Sequence, residues 1–320
     1  MCFARFNGFA VSMPAAFNAT LFLLLRCGVP RHNNIKCARR FCSKNRQLCR
    51  QSKILLYLCK KFLNMKTKEE IVSDWLPRYT GKTLESFGEY ILLTNFQLYV
   101  DLFAEWNNVP VDGLDRNMPS ATVDGITIIN FGMGSPNAAI IMDLLSAVSP
   151  KAVLFLGKCG GLKAKNKLGD LILPIAAIRS EGTSNDYLPP EVPALPAFML
   201  QRAVSTSIRD NGHDYWTGTV FTTNRRVWEY DERFKKYLIK TRAMAVDMET
   251  ATIFIVGFAN EIPCGALLLV SDQPMVSSGV KTEASDKKVT EQFVHDHLKI
   301  GIDSLRIIKR GGSSVKHLKF

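Results

Sequence analysis

Residues 1–64 contain no Asp and no Glu, yet 12 of the chain's 41 Lys and Arg fall there. The 29 basic residues that remain face 29 acidic ones, so the net charge of +12 belongs to the first segment and the rest of the chain is neutral. A neutral body lacks the electrostatic footprint of a nucleic-acid-binding domain, and no nucleic-acid partner is expected for it. Long apolar runs are also missing. Leu21 to Leu25 is short and Arg26 interrupts it, which excludes a secretory signal, and no stretch approaches a membrane span. Paired Cys-x-x-Cys is absent: Cys37, Cys42 and Cys49 are loosely spaced, a weak pattern for zinc. Six of the eight cysteines (Cys2, Cys27, Cys37, Cys42, Cys49, Cys59) lie in this segment, leaving only Cys159 and Cys264, both in apolar runs. There is thus no disulfide framework, and a reducing, cytoplasmic compartment is expected. The Gly132 segment is not followed by Gly-Lys-Ser/Thr at the spacing of a phosphate loop, and it is not a G-x-G-x-x-G fingerprint. His295 and His297, two apart on a helical stretch, face different ways, so no metal site is expected, and no cofactor.

Four readings compete for residues 1–64: a basic nucleic-acid arm, a Cys/His metal module, a transit peptide, or a stretch outside the working protein. At Met65 the composition changes abruptly to that of an ordinary globular protein. The segment is therefore read as a basic, Cys-rich extension, disordered or not native, with residues 65–320 as the catalytic domain.

From Met65 onward strands alternate with helices. Helix spacing covers Met65 to Trp75, a strand Gly88 to Thr94, and an amphipathic helix Asn95 to Trp106. Ala121 to Ile129 reads as a hairpin about Asp124-Gly125. Helices follow at Ala138–Val148, Leu195–Arg209, Val227–Lys240 and Asp286–Lys309. Strands follow at Lys151–Gly157, Asp170–Ile178 and Thr217–Phe221, and the Pro-rich stretch Ser184 to Pro196 reads as a loop. This order predicts a three-layer α/β/α domain with a central mixed, twisted sheet.

Chemistry concentrates in Ala243 to Pro274. Asp247 and Glu249 lie where a short apolar run meets a helical pattern. Asp272 ends the apolar strand Cys264 to Asp272, at the rim of an α/β sheet where ligands bind. A carboxyl held there in poor solvent favours its protonated form and suits a general acid. Two glycine segments stand beside it. Gly132-Met133-Gly134-Ser135-Pro136 precedes a helix, and its free N–H groups could hold an anion or a sugar hydroxyl, or simply let the chain reverse. Gly157-Lys158-Cys159-Gly160-Gly161 reads as a tight turn that lets backbone approach a ligand closely, with Lys158 either in the pocket or in solvent.

In this order and at these distances, Gly132-Met-Gly-Ser-Pro, Leu156-Gly-Lys-Cys-Gly-Gly-Leu, Val246-Asp-Met-Glu-Thr and Val270-Ser-Asp resemble the nucleoside phosphorylase/hydrolase superfamily over roughly residues 85 to 310. The Gly-x-Cys-Gly-Gly-Leu, Pro189-Pro190, Ala245-Val-Asp-Met-Glu and Val-Ser-Asp-x-Pro marks are most similar to the short, single-domain AMP nucleosidases. The resemblance implies a nucleoside phosphorylase-like fold and hydrolysis of AMP to adenine and ribose 5-phosphate. It implies that Asp272 protonates the purine at N7, that Glu249 binds the ribose hydroxyls with Met248 packing on the sugar, and that Phe221 stacks on the base. Met133 and Gly134 would line the ribose side, and Lys158, Cys159 and Gly160 would border the base and the anion. The 5′-phosphate needs cations, for which Lys158, Arg225 and Arg226 are the candidates, with Lys281 and Lys287 behind them; Asp247 is a candidate to activate water. Phosphorolytic relatives carry two arginines that are missing here, where the sequence reads Thr94-Asn-Phe-Gln-Leu and Phe155. Without them an inorganic phosphate nucleophile would be desolvated unpaired, at a cost of several kcal/mol, whereas water needs no counter-charge. The resemblance also implies a homo-oligomer, hexamer or dimer, and no membrane partner. Alternatives are a purine nucleoside phosphorylase, an inactive nucleotide-binding regulator, or a nucleic-acid binder working through residues 1–64.

Overall fold

The computed structural model describes residues 4–6, 9–11 and 66–311. In the first of two units, residues 1–66, strands β1 (Ala4–Phe6) and β2 (Phe9–Val11) pair antiparallel. The cysteines of that segment, and with them the metal-module reading, lie outside the described residues. Everything below concerns the second unit, residues 67–320.

That unit opens with α1 (Lys68–Thr80), started by a capping box in which the Thr67 hydroxyl accepts the Glu70 N–H and the Glu70 carboxylate accepts the Thr67 N–H. The sheet is built around β6 (Ala152–Gly161). Along one edge β6 runs parallel to β10 (Cys264–Asp272), from Val153 to Gly160. Along the other, its first half (Ala152–Leu156) pairs in parallel with β3 (Tyr90–Thr94), which pairs with β5 (Ile126–Asn130). The hairpin from β4 (Ser120–Val123) to β5 turns at Asp124 and Gly125, both with positive φ (52° and 74°), as a two-residue turn of that hand requires. The second half of β6 changes partner: Gly160 and Gly161 pair antiparallel with β9 (Ala245–Asp247). From β10 the order continues through β7 (Leu171–Ser180) and β8 (Trp216–Thr223) to β9, so β6, β10, β7, β8 and β9 close into a ring with β3, β5 and β4 as a wing.

The layers follow from strand alternation. Ile91, Leu93, Val153, Phe155, Leu268 and Val270 pack on one face with α1, α3 (Ser135–Leu144) and α6 (Thr250–Ala259). Tyr90, Leu92, Leu154, Leu156, Leu267 and Leu269 pack on the other with α2 (Gln97–Asn107), α4 (Phe198–Asp210) and α7 (Glu283–Arg310). This is the three-layer arrangement with a mixed sheet. A smaller apolar cluster lies under α5 (Glu232–Thr241). His297 belongs to the core: Leu267 O can only accept, so Nε2–H donates to it, and the Tyr99 hydroxyl donates to Nδ1. Burial lowers its pKa to about 4 and keeps the ring neutral.

Three local expectations are corrected. Lys158 to Gly161 is not a turn but the second half of β6, held straight by β10 on one side and β9 on the other. α5 starts at Glu232, not Val227, because the Asp231 carboxylate accepts the N–H groups of Arg233 and Phe234 and caps it there. α4 starts at Phe198, three residues after the predicted Leu195. Among the described residues no helix is long and apolar enough to cross a membrane.

Candidate active site

Between Leu156, its last residue paired with β3, and Gly160, its first paired with β9, β6 faces a split in the sheet. The split opens at the carboxyl ends of β3, β6 and β10, and the chain leaving β9 enters it. Asp247 shapes that entry. One of its carboxylate oxygens accepts the N–H of Glu249 at 3.2 Å, the N–H of Thr250 at 2.7 Å and the Thr250 hydroxyl, and the other accepts the Thr222 hydroxyl at 2.7 Å. Thr222 in turn accepts the N–H of Ala251 at 3.0 Å. Asp247 is therefore the cap of α6. Three donors crowd Oδ2 and one reaches Oδ1, so Asp247, which also borders the cleft, is engaged in holding the α6 start, where the sequence offered it as a candidate to activate water.

The α6 start delivers Glu249 into the split. The residue is 2% exposed; Oε1 accepts the N–H of Gly134 at 2.7 Å and the Asn95 amide at 3.4 Å, and Oε2 accepts the N–H of Met248 at 3.2 Å. Gly134 has φ +94° and ψ 157°, a conformation open only to glycine, and this aims its N–H at the carboxylate. That N–H is thus spent on Glu249 and is not free for an anion. The Ser135 hydroxyl donates to Met248 O at 2.6 Å and ties the start of α3 to the same loop. Burial, then the charge of Asp247, pushes the Glu249 carboxyl up from its ordinary range.

Asp272 ends β10 across the split. The Ser271 hydroxyl donates to its Oδ1 at 2.7 Å, and Oδ2 stands over Gly160, where an added Cβ would lie 3.2 Å from that oxygen and 3.0 Å from the Pro274 ring. Burial raises the Asp272 pKa against the lowering pull of Ser271, Lys281 and Arg226. Both carboxyls open on one cleft. Among the described residues no group of His, Cys, Asp and Glu is arranged to hold a metal ion.

Met133, Lys158, Cys159, Gly160, Arg225, Arg226 and Met248 line the same cleft. Gly134 acts one step back, through Glu249. Phe221 does not line it, which corrects the stacking assignment: the ring is fully buried and makes edge contacts with Phe234 and Tyr237 under α5. Trp228 and Val246 share its cluster and are the members that reach the cleft. The aromatic rings available to a ligand are therefore Phe96 and Trp228. Those two, with Asn95, Glu229 and Ser271, were missed from sequence; Asn95 and Phe96 carry a signal, since they directly follow the end of β3. Cys159 is 3% exposed, and burial pushes its thiol well up, so it is an inert wall residue.

The cations differ in how they are matched. Arg225 pairs with Asp231 at 2.8 Å, and Arg226 with Glu229 at 3.5 Å. Lys158 and Lys281 both reach Oδ1 of Asp286, at 3.1 and 2.8 Å. Lys287 lies outside the cleft, 76% exposed and paired with Glu291.

Residues 90–306 match the profile of the phosphorylase superfamily. The chain belongs to that superfamily. Among solved structures of the superfamily it is similar to the AMP nucleosidase from Bacteroides thetaiotaomicron VPI-5482, at 60% identity and a TM-score of 0.69, over 77% of this chain and 100% of that one. It is 29% identical to the AMP nucleosidase of Escherichia coli strain K12 over 76% of this chain, and it spans 60% of that relative's length. A uridine phosphorylase from Vibrio fischeri ES114 shares the fold at a TM-score of 0.63 and 22% identity, covering 70% of this chain and 94% of that chain. In this phosphorylase-superfamily member Thr94 and Phe155 are fully buried, and Phe155 packs on Phe131 with ring centroids 5.7 Å apart. Those positions place no cation in the cleft.

Proposed function

We propose that the protein hydrolyses the N-glycosidic bond of AMP, giving adenine and ribose 5-phosphate. The observation that carries this reading is the convergence of Glu249, from the start of α6, and Asp272, from the end of β10, on one cleft; the similarity to AMP nucleosidases selects the substrate. The bond between C1′ and N9 breaks and its electron pair leaves with the purine. Asp272 supplies a proton at N7, which neutralises the leaving base. Water adds its oxygen to C1′ and releases a proton that restores the acid. Glu249, already ringed by N–H donors, accepts hydrogen bonds from the ribose hydroxyls and, in its ionised form, offsets the positive charge that grows on the sugar. Asn95 Oδ1 is buried without a partner and is a further acceptor for a ribose hydroxyl. Phe96 and Trp228 are the rings positioned to face the nucleoside.

A second reading, phosphorolysis, is favoured by one feature, the Lys158–Lys281 pair in the cleft. AMP incubated in phosphate-free buffer separates the two. Hydrolysis predicts full adenine release; no release until phosphate is added would overturn it. The reading includes a homo-oligomer, dimer or hexamer, supported by the exposed apolar side chains Ile175, Leu195 and Phe198. It also places the enzyme in the cytoplasm, where buried free thiols such as Cys159 and Cys264 stay reduced.

A further inference from the structure

Lys158 stands inside β6 with its side chain 6% exposed, an unusual place for an ammonium group. Its Nζ lies 3.1 Å from Asp286 Oδ1 and 2.9 Å from the Thr290 hydroxyl, and 4.7 Å from the centre of the Phe96 ring. Lys281 Nζ reaches the same Asp286 oxygen at 2.8 Å. Two ammonium groups thus share one carboxylate, an excess of one positive charge among the three groups, with Lys158 buried and Lys281 and Asp286 partly exposed. Burial pushes the Lys158 pKa down, Asp286 opposes that, and Lys281 adds to it. Asp286 and Thr290 belong to α7 and stand behind the lysines, outside the cleft lining, so the unsatisfied side of the pair is the cleft itself. Arg225 and Arg226, by contrast, are each matched by a carboxylate of their own. A buried charge in excess is stabilised by an incoming anion.

We propose that Lys158 and Lys281 form the seat of the substrate's 5′-phosphate, and that Asp286 is a positioning residue that holds both ammonium groups at one wall. The proposal rests on the AMP reading and specifies how a nucleotide is told from a nucleoside. A phosphate that bridges the pair replaces water on both lysines with charge-assisted hydrogen bonds. Adenosine offers only a hydroxyl there.

The test compares kcat/KM for AMP and adenosine in the wild type, Lys281→Ala, Lys158→Met, Asp286→Asn and Asp286→Glu. Each lysine variant is expected to lower the AMP-to-adenosine ratio about 10- to 100-fold, the worth of one charge-assisted contact. Asp286→Asn should raise KM for AMP while kcat is retained, and Asp286→Glu, which keeps the charge, should return towards the wild type. Lys281 lies at the rim, 22% exposed, so Lys281→Ala keeps the test usable if Lys158→Met fails to fold. Calorimetric titration with AMP and adenosine gives the same comparison without turnover. A ratio within threefold of wild type in Lys281→Ala, by both methods, overturns the phosphate seat. Absence of adenine release from AMP by the wild type overturns the AMP reading instead.

Discussion

Replacing Asp272 with Asn isolates the proton-donating role from the shape of the site. The Asn side chain fills the same volume, and its Oδ1 still accepts the Ser271 hydroxyl that Asp272 accepts at 2.7 Å. Nδ2 then takes the place of the oxygen over Gly160, and an amide has no proton to surrender. A positioned general acid contributes about 100- to 10,000-fold to a rate, equivalent to about 2.7–5.5 kcal/mol of barrier. We expect kcat for AMP to fall by that factor, with AMP affinity by calorimetry within about threefold of wild type. The pH profile adds a signed check. Burial raises the Asp272 pKa, so the protonated acid persists above the usual aspartate range and is lost as pH rises through the folded-state value. The corresponding alkaline limb of kcat should vanish in Asp272→Asn. A variant that keeps kcat within fivefold, or that loses AMP binding together with turnover, would refute the assignment.

Three other substitutions probe the surrounding geometry. Glu249→Gln removes a carboxyl whose folded-state pKa is raised by burial and by Asp247, so the native state binds more protons than the unfolded chain across that window and stability falls as pH rises through it. The variant should lose activity yet gain about 1–2 kcal/mol of stability relative to wild type at pH 8 and little at pH 4, readable from denaturant melts at both values. Gly160→Ala places a Cβ 3.0 Å from the Pro274 ring and 3.2 Å from Asp272 Oδ2; we expect kcat to drop about 10- to 100-fold while Tm moves by only a few degrees. Asp247→Ala strips the acceptor from two N–H groups and two hydroxyls at the α6 start. That should cost about 3 kcal/mol and lower Tm by roughly 6–12 °C in a thermal melt.

The fold was legible wherever the signal is local. Apolar runs marked β6 and β10, the Asp124-Gly125 pair between alternating segments marked the hairpin, and four short motifs named the segments that meet at the cleft. What escaped depends on long-range pairing. Lys158 to Gly161 looks like a turn because glycines permit one, but β9, more than 80 residues later, completes its ladder. The resemblance implied that Phe221 stacks on a base, yet α5, which sequence spacing alone could not dock, closes over it. Asp247 and Glu249 are two residues apart and carry the same charge. Both border the cleft, and only the hydrogen bonds distinguish the one that caps α6 from the one held by the Gly134 and Met248 N–H groups. The Lys158–Asp286 contact joins residues 128 apart, and no spacing rule reaches that far.

Glycosidic cleavage by water, with Asp272 and Glu249 acting on one bound nucleotide, is tested most directly by the mass of the sugar product. Wild-type protein supplied with AMP should yield ribose carrying a single phosphate, in equal amount to adenine, at a rate independent of added inorganic phosphate. A sugar product bearing a second phosphate, formed only when inorganic phosphate is present, would contradict the account.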